Sequence, residues 1–206
     1  MAKHRSQLEI ERKYDVDADL RIPPLIGVGA VAVEREPHTA ELVATYYDTE
    51  ELRLARQRIA VRARRGGGDE GWHVKLPPGE EGRTELHWPL GDGAQPPAEL
   101  LEVIREELGD DRLVPVARVT NRRDTTVLTD AAGFELAELC DDHVHSENLR
   151  TGARDAWREW EVELLSGAPD SRERRTALLD GIEAELLTAG ARPSASGSKL
   201  QRALGL

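Results

Sequence analysis

The chain has one cysteine, Cys140, one phenylalanine and one methionine in 206 residues. A single thiol excludes an intramolecular disulfide framework and suits a reducing compartment. Aromatic residues are 4% of the total, so a core must be built from Leu, Val, Ala and Ile, which the 39% hydrophobic content can supply. No apolar run is long enough to span a bilayer, and no segment near Met1 has the apolar centre of a signal peptide. A cytoplasmic protein with no membrane partner is therefore expected. Positive charge is also short: 28 Lys and Arg against 39 Asp and Glu leave a net charge of -11. That excess argues against a nucleic-acid partner unless the basic residues gather in one place. Repeats, low-complexity tracts and long linkers are absent, so residues 1–206 read as one domain.

What is present is alternation. In LEIERKYDV (Leu8 to Val16) extended geometry puts Glu9, Glu11 and Lys13 on one face and Leu8, Ile10 and Tyr14 on the other. RIAVRARR repeats the pattern with Arg58, Arg62 and Arg64 against Ile59, Val61 and Ala63. GWHVKLP sets His73 and Lys75 against Trp72, Val74 and Leu76, and RTELHWPL sets Arg83, Glu85 and His87 against Leu86 and Trp88. VARVTNRRDTTVL places Arg118, Thr120, Arg122, Asp124 and Thr126 together, and REWEVELL opposes Glu159, Glu161 and Glu163 to Trp160, Val162 and Leu164. Glycine-rich turns separate the strands, as in a meander or barrel. AVAVEREPH and AELVATYYDT read as a hairpin about Pro37 to Thr39. VPVARVTNRRDTTVLTD reads as pairing with FELAELCDD. Helices are predicted at 97–108, at 171–189 with Asp170 or Ser171 as N-cap, and briefly in EELRLARQ.

Six strands with one ionic and one apolar face fit either a sheet whose charges are wet or a barrel whose charges face a watery lumen. The two longer amphipathic helices need apolar sheet surface to bury their stripes, which a barrel wall with an apolar exterior supplies. Glu9, Glu11, Glu161 and Glu163 come from the first and last strands, neighbours in a barrel. Four carboxylates at one place repel unless a cation sits among them, and Mg²⁺ or Mn²⁺ favours such hard oxygen donors. Lys13, Arg62, Arg64, Lys75, Arg83 and Arg122 come from strands spread around the ring and suit a compact polyanion.

Glu9-Ile-Glu11-Arg-Lys13 resembles the ExExK signature of the CYTH superfamily, the triphosphate tunnel metalloenzymes. YYDTEELRLARQRIAVRARR, WHVKLP, RTELHWPL, TNRR, ELCDDHV, EWEVELL and SKLQRAL resemble that superfamily in the same order, so the likeness covers nearly the whole chain. It implies an α+β fold: a closed eight-stranded antiparallel β-barrel, the triphosphate tunnel, with helices packed on its exterior. It implies metal ligands at Glu9, Glu11, Asp141, Glu161 and Glu163, with Glu138 and Asp142 as alternatives to Asp141. Phosphate-gripping positions fall on Lys13, Arg62, Arg64, Lys75, Arg83, Arg122 and Lys199; Arg123 competes with Arg122, and parity favours Arg122. Catalytic roles fall on Glu85, Lys13 and Glu163. The implied activity is Mg²⁺- or Mn²⁺-dependent hydrolysis of inorganic triphosphate or a small organic triphosphate. A class IV type adenylate cyclase and a polyphosphate-binding module without turnover stand as alternatives, and the oligomeric state stays open. His73 and His87 share the ionic parity, whereas His4, His38, His143 and His145 read as surface residues. Trp157 and Trp160 read as exterior core, and Cys140 as a small packed hydrophobe.

Overall fold

A computed structural model describes residues 4–91 and 95–206. The opening segment forms β1 (Arg5–Glu9) and β2 (Glu11–Val16), separated by Ile10 alone. β3 (Val33–Glu34), β4 (His38–Asp48), the single turn α1 (Arg53–Arg56), β5 (Ala60–Arg65), β6 (Gly71–Lys75) and β7 (Arg83–Trp88) follow. Next come α2 (Ala98–Val103), α3 (Arg105–Leu108), the long strands β8 (Val114–Thr129), β9 (Glu135–Asn148) and β10 (Arg154–Leu164), α4 (Arg172–Ala189), β11 (Arg192–Pro193) and α5 (Lys199–Leu204).

The strands make one strongly curled antiparallel sheet in the order β1-β7-β6-β5-β4-β8-β9-β10-β2-β11, with β3 on β8. β1 pairs with β7, setting Gln7 opposite Glu85, while β2 pairs with β10, setting Lys13 opposite Glu161. The sheet curls so far that one chain segment, bent at Ile10, borders both β7 and β10. Side-chain alternation carries through the bend, so Glu9, Glu11 and Lys13 keep a common face.

The apolar strand faces account for the helices. Trp160, Val162 and Leu139 bury against Leu179, Ile182 and Leu186 of α4, and Trp72, Val74 and Trp88 against Leu100, Ile104 and Leu108. Each such Leu or Ile contributes about 1.5–3 kcal/mol on leaving water. Helix α4 starts where Ser171 Oγ accepts a hydrogen bond from Arg174 N (3.3 Å) and stops at left-handed Gly190 (φ 110°).

Four readings of the sequence need correction. The helix predicted at 97–108 breaks at Ile104 into α2 and α3, though Leu100, Ile104 and Leu108 still share one buried face. The hairpin about Pro37 does not form: β3 and β4 lie one after the other along β8, with Glu34 opposite Leu128 and His38 opposite Thr125. Proline lacks the N–H that would continue the ladder, so the run is interrupted and does not turn back. Helix α5 packs on the concave face, where Leu200 and Ala203 meet Ala44, Tyr46 and Val119, so the helices are not all exterior. Trp157 joins that inner cluster, as its shared parity with Glu159 requires.

Candidate functional site

The concave face surrounds a cavity of about 200 Å³ whose wall is mostly ionic. Of the residues singled out in the sequence, Glu9, Glu11, Lys13, Arg62, Arg64, Lys75, Arg83, Glu85, Glu161, Glu163 and Lys199 all line it. Strand parity places the first ten, and Ser198, which caps α5 by accepting a hydrogen bond from Gln201 N (3.2 Å), orients Lys199 at the first helical position.

The carboxylates divide into two groups. Asp142, Glu159 and Glu161 form a buried acidic cluster whose oxygens lie within 4.8 Å of one another. Lys199 Nζ sits among them, 2.7 Å from Asp142, 2.5 Å from Glu159 and 2.8 Å from Glu161. Arg123 donates two bonds to Asp142 (2.6 and 2.7 Å) and one to Glu161 (2.5 Å), and Lys13 also pairs with Glu161. Burial alone would raise the Glu161 carboxyl, but Lys13, Lys199 and Arg123 hold it well below the usual range. Against the same burial, Lys199 and Arg123 keep Asp142 near 2.

Glu9, Glu11 and Glu163 form the second group and have fewer cations. Lys75 Nζ lies 2.7 Å from Glu9 Oε2 but out of line for a hydrogen bond. Burial, opposed by Lys75 and reinforced by Glu85 and Glu11, lifts Glu9 to about 7. Burial together with Glu9 and Glu11 lifts Glu163 to about 8, and its hydrogen bond comes from the neutral Gln7 amide (3.1 Å). Glu11 pairs with Lys13 (2.8 Å), and against burial Lys13 and Lys75 hold its carboxyl below the usual range, so the shortage of positive charge lies at Glu9 and Glu163, whose oxygens fit a hard divalent cation in donor type. The Asp142 group already has three cations, Lys199, Arg123 and Lys13, for its three carboxylates.

Across the cavity, Glu85 steadies Arg62 (3.2 Å) and approaches His73 Nδ1 (3.2 Å). Burial alone would raise the Glu85 carboxyl, but Arg62 first, then His73 and Lys75, hold it far below its usual range. Buried Arg64 lies beside Arg62 and Arg123, and burial plus that repulsion lowers its guanidinium to about 9. Arg83 lines the wall, yet it donates to the backbone carbonyls of Leu76 (2.7 Å) and Arg58. His73 and His87 line the cavity with ring centroids 4.6 Å apart.

Two predicted positions face away. Arg122 is about half exposed and pairs with Asp124 (3.0 Å), while Arg123 enters the cavity. The polar alternation Arg118, Thr120, Arg122 is the wet side of β8, and the inner side carries Val119, Asn121 and Arg123. Asp141 is likewise on the convex face, held by Arg158 (2.7 and 2.8 Å), while Glu138 and Asp142 face inward. Cys140 lies inward between them, its thiol pushed up to about 12 by burial. Residues not singled out are Asp69, Asn121 and, as a member of the acidic cluster, Glu159. Parity with Glu161 was the signal for Glu159; no local pattern marked the other two.

A CYTH domain is matched over residues 7–179. The uncharacterized protein Rv2226 of Mycobacterium tuberculosis strain H37Rv is 42% identical over 96% of this chain, and so is its counterpart in strain CDC 1551. The chain spans about two fifths of the length of those relatives, 40% of each. Among solved structures, a putative adenylate cyclase from Bacillus halodurans superposes with a TM-score of 0.63 at 22% identity, covering 96% of this chain and 97% of that one. The Hippeastrum protein HpAC1, a putative adenylyl cyclase described as having a dominant triphosphatase activity, gives 0.51 at 19% identity, with 96% of each chain covered. At those identities the two structures speak for the fold alone. The domain match, which spans most of the chain, establishes that this chain belongs to the CYTH family.

Proposed function

We propose that this chain is a cytoplasmic, divalent-metal-dependent triphosphatase that holds its substrate inside the curled sheet. In this reading residues 1–206 form one tunnel domain of eight long strands, closed through the bent segment 5–16. The observation that carries the reading is the distribution of charge in a single cavity. The carboxylates Glu9, Glu11 and Glu163, of which Glu9 and Glu163 are under-compensated, face it from one side, and the cations Arg62, Arg64 and Arg123 from the other. A linear triphosphate with a divalent cation matches both sides at once; a neutral metabolite matches neither, and a nucleic-acid duplex is too bulky for a cavity of about 200 Å³.

Glu9, Glu11 and Glu163 would hold Mg²⁺ or Mn²⁺, which supplies charge neutralisation on the phosphate oxygens. Arg62, Arg64 and Arg123 present forked donors to the phosphate chain, with Lys75 and Lys13 as point charges at its sides. Glu85 fixes the Arg62 guanidinium before substrate arrives, so little reorganisation is needed as charge moves onto the leaving group. Lys13, anchored by Glu11 (2.8 Å) and Glu161, stabilises that charge. Glu163 would orient the attacking water. Lys199 and Arg83 brace the wall, and Arg122 and Asp141 take no part. The chemistry is mainly positioning and electrostatics.

The deciding experiment is phosphate release from tripolyphosphate, thiamine triphosphate and nucleoside triphosphates with Mg²⁺ or Mn²⁺. Release well above background for one of them is expected; none for any would overturn the reading. The cyclase alternative is decided by products from ATP, since cyclic AMP with pyrophosphate marks a cyclase and ADP with phosphate a hydrolase. The described activity of HpAC1 favours hydrolysis as the first assay. Tight polyphosphate binding with no turnover would instead mark a binding module.

A further inference from the structure

Residues 66–70, GGGDE, join β5 to β6 at one mouth of the cavity. The turn is shaped for close approach. Gly66 and Gly67 have φ of 82° and 75°, a Cβ on Gly66 would lie 2.1 Å from Glu41 O, and one on Gly71 would lie 2.3 Å from His87 Nε2. Its backbone is tied down by hydrogen bonds from Gly66 N to Glu70 Oε2 (3.0 Å) and from His73 Nε2 to Asp69 O (3.0 Å). From this held turn the Asp69 side chain reaches into the cavity and pairs with Arg64.

Asp69 is the one acidic partner of Arg64 among the described residues, and Arg64 Nε is buried with no hydrogen-bond partner at all. The Arg64 side chain is 8% exposed, whereas that of Asp69 is 42% exposed. A buried guanidinium crowded by Arg62 and Arg123 requires an anion, and Asp69 supplies a single negative charge from a side chain free to rotate into water. A phosphate group offers more charge and a bidentate match to the same fork.

We propose that Asp69 is a binding-determining residue: its carboxylate occupies the anion position over Arg64, and an incoming phosphate chain must displace it to engage that guanidinium. The inference rests on the phosphate-binding reading of the cavity given above. Displacement needs only rotation of the Asp69 side chain, because the turn's backbone stays tied to His73 and Glu70. The carboxylate therefore weakens phosphate binding in return for keeping Arg64 ordered in the free protein.

The test is calorimetric titration of tripolyphosphate, with EDTA present so that no turnover occurs, into wild type, Asp69→Asn, Arg64→Gln and the double variant. Asp69→Asn should bind about tenfold more tightly than wild type, the scale of removing one partly exposed ion pair plus one like charge. The gain should vanish in the Arg64→Gln background. Equal or weaker binding by Asp69→Asn overturns the proposal, as does a gain that survives Arg64→Gln, since Asp69 would then act elsewhere. If wild type and Asp69→Asn both fail to bind tripolyphosphate, the phosphate-binding reading falls and this inference with it. Binding by wild type without a gain in the variant removes this inference alone.

Discussion

Lys199 Nζ lies 2.8 Å from Glu161 Oε1, joining the first residue of α5 to the centre of β10. The same ammonium reaches Asp142 and Glu159, so one lysine touches all three members of a buried acidic cluster and ties the C-terminal helix to the inner wall.

Replacing Lys199 by Met should leave Asp142, Glu159 and Glu161 under-compensated and cost about 3–5 kcal/mol of stability. Urea denaturation measures this directly. Adding Glu159→Gln should recover part of the loss, because it removes one of the stranded charges. A Lys199→Met protein as stable as wild type would mean that the cluster is neutralised by Arg123 and Lys13 without it.

Neighbouring residues on β8 and β9 should differ sharply. Arg123→Gln and Asp142→Asn should lower kcat/KM for triphosphate by about a hundredfold or more, the scale of removing a placed cation or its anchor. Arg122→Gln and Asp141→Asn should stay within about twofold, since both side chains face away from the cavity. Comparable losses in the two sets would contradict the observed strand facing.

Metal and substrate roles should separate in kinetics. Glu11→Ala should raise the Mg²⁺ or Mn²⁺ concentration for half-maximal rate by at least about tenfold, and chelation of wild type with EDTA should abolish turnover. Arg62→Ala should chiefly raise KM for the triphosphate. Identical effects of the two substitutions on both measures would undermine the assignment.

His73 should remain neutral far below the usual histidine range. Burial first, then Arg62 and Arg64, bring its pKa down to about 3, although the nearby Glu85 opposes them. The unfolded chain takes up a proton near pH 6.5 that folded His73 refuses, so this contribution is complete above 6.5 and is lost as pH falls toward 3. NMR should show no His73 titration between pH 8 and 5. His73→Phe should flatten the fall in stability over pH 6.5 to 5; an unchanged slope would assign that fall to other groups.

Asp48 offers a stability test away from the ionic cavity. Its buried carboxylate accepts hydrogen bonds from Thr49 N (2.6 Å), Leu54 N (2.9 Å) and Ala55 N (2.8 Å), fixing the turn into α1 ahead of β5. Asp48→Ala strands three buried donors and should cost about 2–4 kcal/mol, read as a lowered denaturation midpoint.

Much of the site could be read from alternation, because a strand that buries one face must segregate its residues by parity. That rule alone puts Glu9, Glu11 and Lys13 with Arg62, Arg64, Lys75 and Glu85, and it also puts Trp157 with Glu159 on the inner side. It fails on β8 and the middle of β9, where polar residues occupy both faces. There parity favours Arg122 although Arg123 is the one that enters the cavity, and Asp141 and Asp142 are not separated by local pattern; curvature and cross-strand pairing choose between them.

The sequence by itself determined which strands carry ionic faces, where α4 begins and ends, and which signature residues point to the CYTH family, since each is a matter of neighbours a few positions apart. Only the tertiary structure decided how the charges are shared. Lys199, Arg123 and Lys13 take Asp142, Glu159 and Glu161, Lys75 lies beside Glu9, Glu163 is left with the neutral Gln7 amide, and Asp69 reaches Arg64. Those pairings join residues far apart in the chain, and Coulomb interactions at a few ångströms depend on distances that no run of sequence contains.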